Sequence, residues 1–353
     1  MSLRPSDPAA QRSIIDSFLR AANTLYAQRH QHAPAIAASA GLSVDGALLG
    51  FEALERTCSS EEAASLVRAV PQAHTAYVLL SANVFVAPFR ALLLARLGAS
   101  RVVVRPSSRD PYFAGALVQA LADDNIALDA ELTLPREGPG MVHLYGSDET
   151  LAAVRAQTRM PVWGHGTGFG AAYVAAHEIT AGVAQQLALD VTVFDQRGCL
   201  SPKVIFVEDA EPGAPALALL LHQALAGSPV PRGELHPSER SQITHFVDTM
   251  RMAGDVHLGD AHVVAVAPPG ATVLLPPVGR TVLVVPVQAA SDVPALLAPM
   301  NRFVTTLGVS HAAAREQFGL AFPRARLSPL GAMQRPPLDG PVDLRTPEPL
   351  GGS

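Results

Sequence analysis

From Thr75 onward the chain alternates between short, continuously apolar runs and longer stretches whose apolar positions recur at helical spacing. "TAYVLLS" reads as a strand, "FRALLLARLGA" as a helix ending near Gly98, "RVVVRPS" as a strand and "PYFAGALVQALADDN" as a helix. "GMVHLYGS" and "DETLAAVRAQ" repeat the strand–helix pair. Strands that are apolar at every position, rather than at alternate ones, are buried on both faces, and helices of about ten or more residues between them supply the cover. The expected architecture is α/β, with a parallel, doubly wound sheet. The same texture returns in the second half: strand "AAYVAA", helix "TAGVAQQLALDVTVF", strand "KVIFVE", helix "PALALLLHQALAG", strands "HVVAVA" and "RTVLVVPV", and helix "VPALLAPMN".

Ahead of this region a helix is expected to open at Asp7, with Pro8 in its first turn and Ile14, Ile15, Phe18, Leu19 and Leu25 along its apolar face. Ser59 and Glu62 have the spacing of a capping box before "AASLVRAV". Placing the boundary at the glycine-rich "WGHGTGFG" gives a first domain over 1–165, including the N-terminal helices, and a second over 166–330. Residues 331–353, rich in Pro and Gly from Arg335, are expected as a tail that lies across the surface or is disordered.

At 353 residues and 48% hydrophobic content the chain can bury two such cores. A net charge of −5, with no Lys/Arg cluster, argues against a nucleic-acid partner. The longest apolar stretches fall short of the roughly 18 residues a membrane span needs. The N-terminus lacks a basic region followed by an apolar core. A cytoplasmic location is expected, with Cys58 and Cys199 both kept as thiols.

No G-x-S-x-G, C-x-x-C or H-E-x-x-H motif is present and the histidines are scattered, so neither a serine hydrolase nor a metal enzyme is expected. "GHGTGFG" spaces its glycines at every second position and is followed by another strand. That suits a backbone crossing where side chains do not fit better than a phosphate cradle, with His165 a hydrogen-bonded linker rather than a general base. Gly146 and Ser147 lie between a strand and a helix, where free amides bind an anion or the serine acts as an N-cap. Cys199, in "VTVFDQRGCLSP", is either a buried small hydrophobe or a nucleophile. Gly198 before it permits close approach of a substrate, and Asp195, Gln196 and Lys203 suggest polar surroundings. The helix ending before this loop would not stabilise a thiolate, so activation has to come from local amides or a cofactor. Cys58 suits a structural role.

Four of these segments, in order between Thr75 and Gly340, resemble the aldehyde dehydrogenase superfamily, and within it the acyl-CoA reductases of the LuxC type. "SANVFVAPFRALLLARLGASRVVVRPSSRDP" is similar to the superfamily's asparagine, helix and following strand, and "LYGSDET" to its Gly-Ser turn at the cofactor. "FDQRGCLSP" resembles the nucleophile loop, and "ARLSPLGAMQRPPLDG" a C-terminal signature of the LuxC branch. The resemblance implies a Rossmann-like cofactor domain followed by a catalytic α/β domain, with Cys199 as nucleophile. Asn83 and the Cys199 backbone N–H would hold the oxyanion. Arg105 would stand in for an adenosine-side lysine, and Gly146 and Ser147 would lie by the cofactor.

Hydrolytic members of that superfamily carry a water-activating glutamate near the start of the catalytic domain, and "VWGHGTGFG" has none. An acyl-enzyme without such a base survives long enough to be reduced. The expected reaction is therefore reduction of an acyl-CoA or carrier-bound acyl thioester to an aldehyde. A CoA-acylating aldehyde dehydrogenase working in the oxidative direction, or a non-catalytic partner subunit, is the alternative. The second superfamily glutamate, which holds the nicotinamide ribose, is not evident around "PPVGRTVLVVPV", and the chain is short for the superfamily, which leaves a homo-oligomer open. Ser107 and Ser108, flanked by Arg105 and Arg109 with no acidic side chain between them, suit the 2′-phosphate of NADPH rather than the bare ribose of NADH.

Overall fold

The structure, a computed structural model, describes residues 7–57, 73–209 and 213–345. Cys58 and the Ser59–Glu62 capping box lie outside these residues. Asp7 caps α1 (Pro8–Ala27) by accepting a hydrogen bond from the Ala9 N–H at 3.1 Å, and Pro8 sits in the first turn, where its missing N–H costs nothing. Ile15, Phe18 and Leu25 are buried, with Ile14 and Leu19 packed on the margin of the same core. Two further helices, α2 (Arg29–Ala40) and α3 (Val44–Thr57), are separated by Gly41, whose left-handed φ of 65° ends α2.

The first sheet comprises β1 (Ala73–Leu79), β2 (Ala99–Arg105), β3 (Ile126–Leu128), β4 (Gly140–Tyr145) and β5 (Val162–His165), in the order β3-β2-β1-β4-β5 with every pair parallel. Helices α4 (Ala87–Gly98), α5 (Tyr112–Leu121) and α6 (Asp148–Gln157) make the crossovers. Strand side chains alternate between two cores. Ala76, Val78, Val102 and Val104 join the N-terminal helices, while Leu79, Val103, Val142 and Val162 pack on the opposite face. The strand order reverses between β1 and β4, so their carboxyl ends diverge and leave a crevice, the usual ligand position in sheets of this type.

The second sheet contains β6 (Phe169–Val174), β7 (Pro202–Glu208), β8 (Asp255–Leu258), β9 (Val263–Val266), β10 (Thr281–Val287), β11 (Val304–Val309) and β12 (Arg326–Ser328). Their order is β12-β11-β6-β7-β10-β9-β8, and the β8–β9 pair alone is antiparallel. Helices α7 (Ala181–Thr192) and α8 (Gly213–Ala226) cover one face. On the other face lie α9 (Pro237–Ala253), α10 (Val293–Leu297) and α11 (Ala312–Ala321). The two sheets meet in sequence across residues 166–168.

The terminal segment corrects the expectation of a surface or disordered tail as far as Arg345. Met333 and Leu338 are fully buried, and Gln334 and Asp343 nearly so. The Asp190 carboxylate accepts the Gly331 and Met333 N–H groups at 2.6 and 2.9 Å. Arg90, itself buried, donates to the carbonyls of Pro336, Pro337 and Gly340. A backbone too rich in Pro for a ladder is satisfied by buried side chains instead.

Candidate active site

A cavity of about 740 Å³ opens between the sheets, at the carboxyl ends of β1, β4 and β5. Asn83, Ser107, Gly146, Ser147 and Cys199 all line it. Two residues expected beside them do not reach its wall: Arg105 is half-buried at the end of β2, and Ser108 is exposed to solvent. Arg109 lines the cavity in their place. Ser147 is also the N-cap of α6, its Oγ accepting the Thr150 N–H at 3.3 Å, so the structural role weighed for it from sequence is present within the cavity wall.

Cys199 is presented by a loop between α7 and β7 in which Phe194, Asp195 and Gln196 all take left-handed backbone angles, at φ 56°, 49° and 63°. Such a run in non-glycine residues is strained, and persists only where the surroundings over-determine it. Each residue is moored. The Phe194 ring enters the core of the N-terminal helices, edge-on to Phe85 at 5.8 Å. Asp195 pairs with Arg280 at 2.7 Å and accepts the Gly233 N–H at 2.9 Å. The Gln196 amide donates to the Pro202 and Thr281 carbonyls and accepts the Thr281 N–H. Arg197 donates to the Ala40, Gly41 and Glu234 carbonyls and pairs with Glu239 at 3.2 Å.

Asp195 and Gln196 are therefore loop anchors, not the polar surroundings of the thiol that their sequence position suggested. Gly198 lines the cavity as well, and a Cβ built on it would lie 3.2 Å from both Gln334 Oε1 and Val84 Cγ2, so a side chain there would crowd its neighbours. Val84 follows Asn83, so this contact brings the β1 end against the nucleophile loop. Across the glycine-rich junction, a Cβ on Gly170 would stand 2.6 Å from the Leu200 carbonyl oxygen, and one on Gly164 only 2.2 Å from Leu151. Close approach of chain to chain accounts for these glycines.

Half-buried Cys199 has its carbonyl held by the Thr305 hydroxyl, which also donates to the Phe169 carbonyl at 2.9 Å. Burial, reinforced by the negative charge of Asp343, pushes its thiol up to about 11. Asp343 lines the same cavity. Its carboxylate is engaged by Arg345, whose Nε and Nη2 approach at 2.8 and 2.6 Å while the Arg345 backbone N–H adds a third bond at 2.9 Å. Arg345 in turn donates to the Gly166, Thr167 and Arg302 carbonyls, fastening the terminal segment to the junction between the sheets.

His165 lies on the cavity wall as well, with its ring stacked on Tyr145 at 4.7 Å and 13° and its Nδ1 3.9 Å from Asp343 Oδ2. The ring stack and the Asp343 approach place His165 in the site, where sequence suggested a linker. Lys203 completes the polar lining. Its ammonium donates to the Pro276 carbonyl at 2.9 Å, and burial pulls its pKa down to about 8. Tyr145, Asp343, Arg345 and Thr305 escaped sequence reasoning. "NRFVTTLGV", whose β-branched run reads as a strand, was a usable signal for Thr305; the terminal segment, without periodicity, offered none for Asp343.

Among solved structures the fold is shared with aldehyde dehydrogenases. An NAD-dependent benzaldehyde dehydrogenase from Corynebacterium glutamicum superposes with a TM-score of 0.69 at 15% identity, over 92% of this chain and 83% of that one. An NADP-dependent glyceraldehyde-3-phosphate dehydrogenase from Bacillus halodurans C-125, determined with NADP, gives 0.68 at 14% identity over 92% and 80%. An aldehyde dehydrogenase from Bartonella henselae gives 0.66 at 14% identity over 92% and 79%. No curated protein matches the sequence. The fold is thus of the aldehyde dehydrogenase type. The LuxC acyl-CoA reductase family model matches residues 138–338, more than half of the chain, and the chain belongs to that family. Among the described residues, no single helix is long and apolar enough to cross a membrane.

Proposed function

We propose that this protein reduces an acyl thioester, of CoA or of a carrier protein, to the aldehyde through an acyl group held on Cys199. The observation that carries the reading is that Cys199 and Asn83 share one cavity with the Gly146–Ser147 turn, at the switch point of a parallel sheet. Cys199 Sγ attacks the thioester carbonyl and the donor thiol departs, leaving the acyl group on the enzyme. The Asn83 side-chain NH₂ and the loop amides stabilise negative charge on the carbonyl oxygen as it becomes tetrahedral; one such donor is worth about a hundredfold or more in rate.

The cavity volume and its apolar walls suit a dinucleotide together with an acyl group. The Ser147 N–H, at the start of α6, suits the cofactor's phosphates, while the Gly146 N–H is taken by the His165 carbonyl at 3.2 Å. Arg109, on the cavity wall, would meet a 2′-phosphate, with Arg105 at the end of β2 adding to the positive field. Asp110, next to Arg109 in sequence, is buried, accepts a hydrogen bond from Ser39 at 2.7 Å and does not line the cavity. Bound NADPH supplies the hydride. The protein's own part is to hold the acyl carbon without a free carboxylate beside it. Asp343, the carboxylate that lines the cavity, has both its oxygens occupied by Arg345.

The test is Cys199→Ala, with thioester-dependent NADPH oxidation followed by absorbance and aldehyde trapped as its hydrazone. Loss of both signals is expected. An alanine variant that still produces aldehyde overturns the covalent route.

A further inference from the structure

We infer that His165, backed by Asp343, is the proton acceptor for the Cys199 thiol and the proton donor to the departing thiol, an inference that rests on the reading of Cys199 as nucleophile. Three observations meet here. His165 and Cys199 line one cavity, and among its described lining residues His165 is the only imidazole. The ring is held in place, stacked on Tyr145 at 13°, and Asp343 Oδ2 stands 3.9 Å from its Nδ1, an ion-pair distance open to an imidazolium. Asp343 is itself fixed by Arg345 and placed so that its charge acts on His165 and Cys199 alike.

The chemistry needs such a group. A thiol pushed up to about 11 is ionised at neutral pH in only on the order of one molecule in ten thousand. His165 is kept below its ordinary value by burial, against the pull of Asp343 and with a further push from Arg345, so at neutral pH it is an uncharged acceptor. As the Cys199 S–C(acyl) bond forms, the sulfur's proton passes to the imidazole. As the acyl–sulfur bond of the donor breaks, the same proton passes to the leaving thiolate, and the enzyme is left acylated with His165 neutral again. No electrons move in this half of the cycle. The charged and titratable groups around the ring are His143 and Tyr145 on β4, Asp148 at the start of α6, Asp343 and Arg345 in the terminal segment, and Cys199 itself.

The experiment follows alkylation of Cys199 by iodoacetamide between pH 5 and 10, with the labelled peptide resolved from that of Cys58 by mass spectrometry. It requires neither cofactor nor thioester. In the native protein the rate should rise with deprotonation of the imidazole and then level off well below the thiol's own ionisation. In His165→Gln that lower limb should vanish, the neutral-pH rate falling at least tenfold, and kcat/KM for the thioester about a hundredfold or more. His165→Glu, which restores an acceptor, should recover part of the rate with its limb displaced. Asp343→Asn should shift the native limb to lower pH, and thermal melting of each variant reports folding. An unchanged alkylation profile in His165→Gln overturns the assignment while leaving Cys199 as nucleophile. Aldehyde formation by Cys199→Ala would instead overturn the covalent route, whatever the alkylation profile shows.

Discussion

Asp195 and Arg280 form an ion pair at 2.7 Å in which both side chains are almost wholly enclosed, yet neither touches the cavity that Cys199 lines. The pair ties the nucleophile loop to the start of β10, and Arg280 continues to the Val230 and Pro231 carbonyls at 2.8 and 3.1 Å. Removing one partner strands a buried charge. Asp195→Ala should cost about 3–5 kcal/mol in urea unfolding. Activity should fall as well, because the left-handed run at Phe194–Gln196 loses one of its moorings. A variant of native stability would show that the pair is dispensable.

The arginines at the β2 end bear on cofactor choice. Neither Arg105 nor Arg109 forms an ion pair within the described residues, and of the two it is Arg109 that lines the cavity. A charged hydrogen bond contributes about 1.5–3 kcal/mol, which corresponds to roughly ten- to a hundredfold in affinity. The Arg105→Ala, Arg109→Ala double variant should therefore lower the NADPH-to-NADH ratio of kcat/KM at least tenfold, chiefly through KM for NADPH. Comparable use of the two cofactors by the unaltered protein would remove the preference altogether.

Lys203 is the single lysine of the chain, which makes its titration directly observable. Burial lowers its pKa from 10.5 to about 8, so the folded protein binds fewer protons than the unfolded one between those values. Stability from this group therefore rises with pH across that window and is lost again as pH falls through about 8. Reductive methylation with ¹³C-formaldehyde gives one lysine signal by NMR, expected to titrate near pH 8. A midpoint at the value of a free lysine would show the amine to be hydrated.

Continuous apolar strands and the helices between them were readable because burial on both faces leaves a strong one-dimensional mark. The sheet edges were not. β3 and β12 are each three residues long, too short for any period, and α9 presents mostly polar residues around three buried ones. Within the site, Cys199 and Asn83 could be found from local motifs. The meaning of their neighbours could not, because Asp195 and Arg280 are 85 positions apart and His165 meets Asp343 across 178. A histidine between glycines carries no sign of which carboxylate it will face. The order of the terminal segment was illegible for a related reason: Arg90 and Asp190, which hold it, meet their partners across 247 and 141 positions.

Because Asp343 lines the cavity while Arg345 is clamped to the Gly166 and Thr167 carbonyls, the pocket and the junction between the two sheets share one fastening. Loosening it, as Arg345→Ala would, releases the Asp343 carboxylate and disturbs the cavity without altering any residue of either sheet.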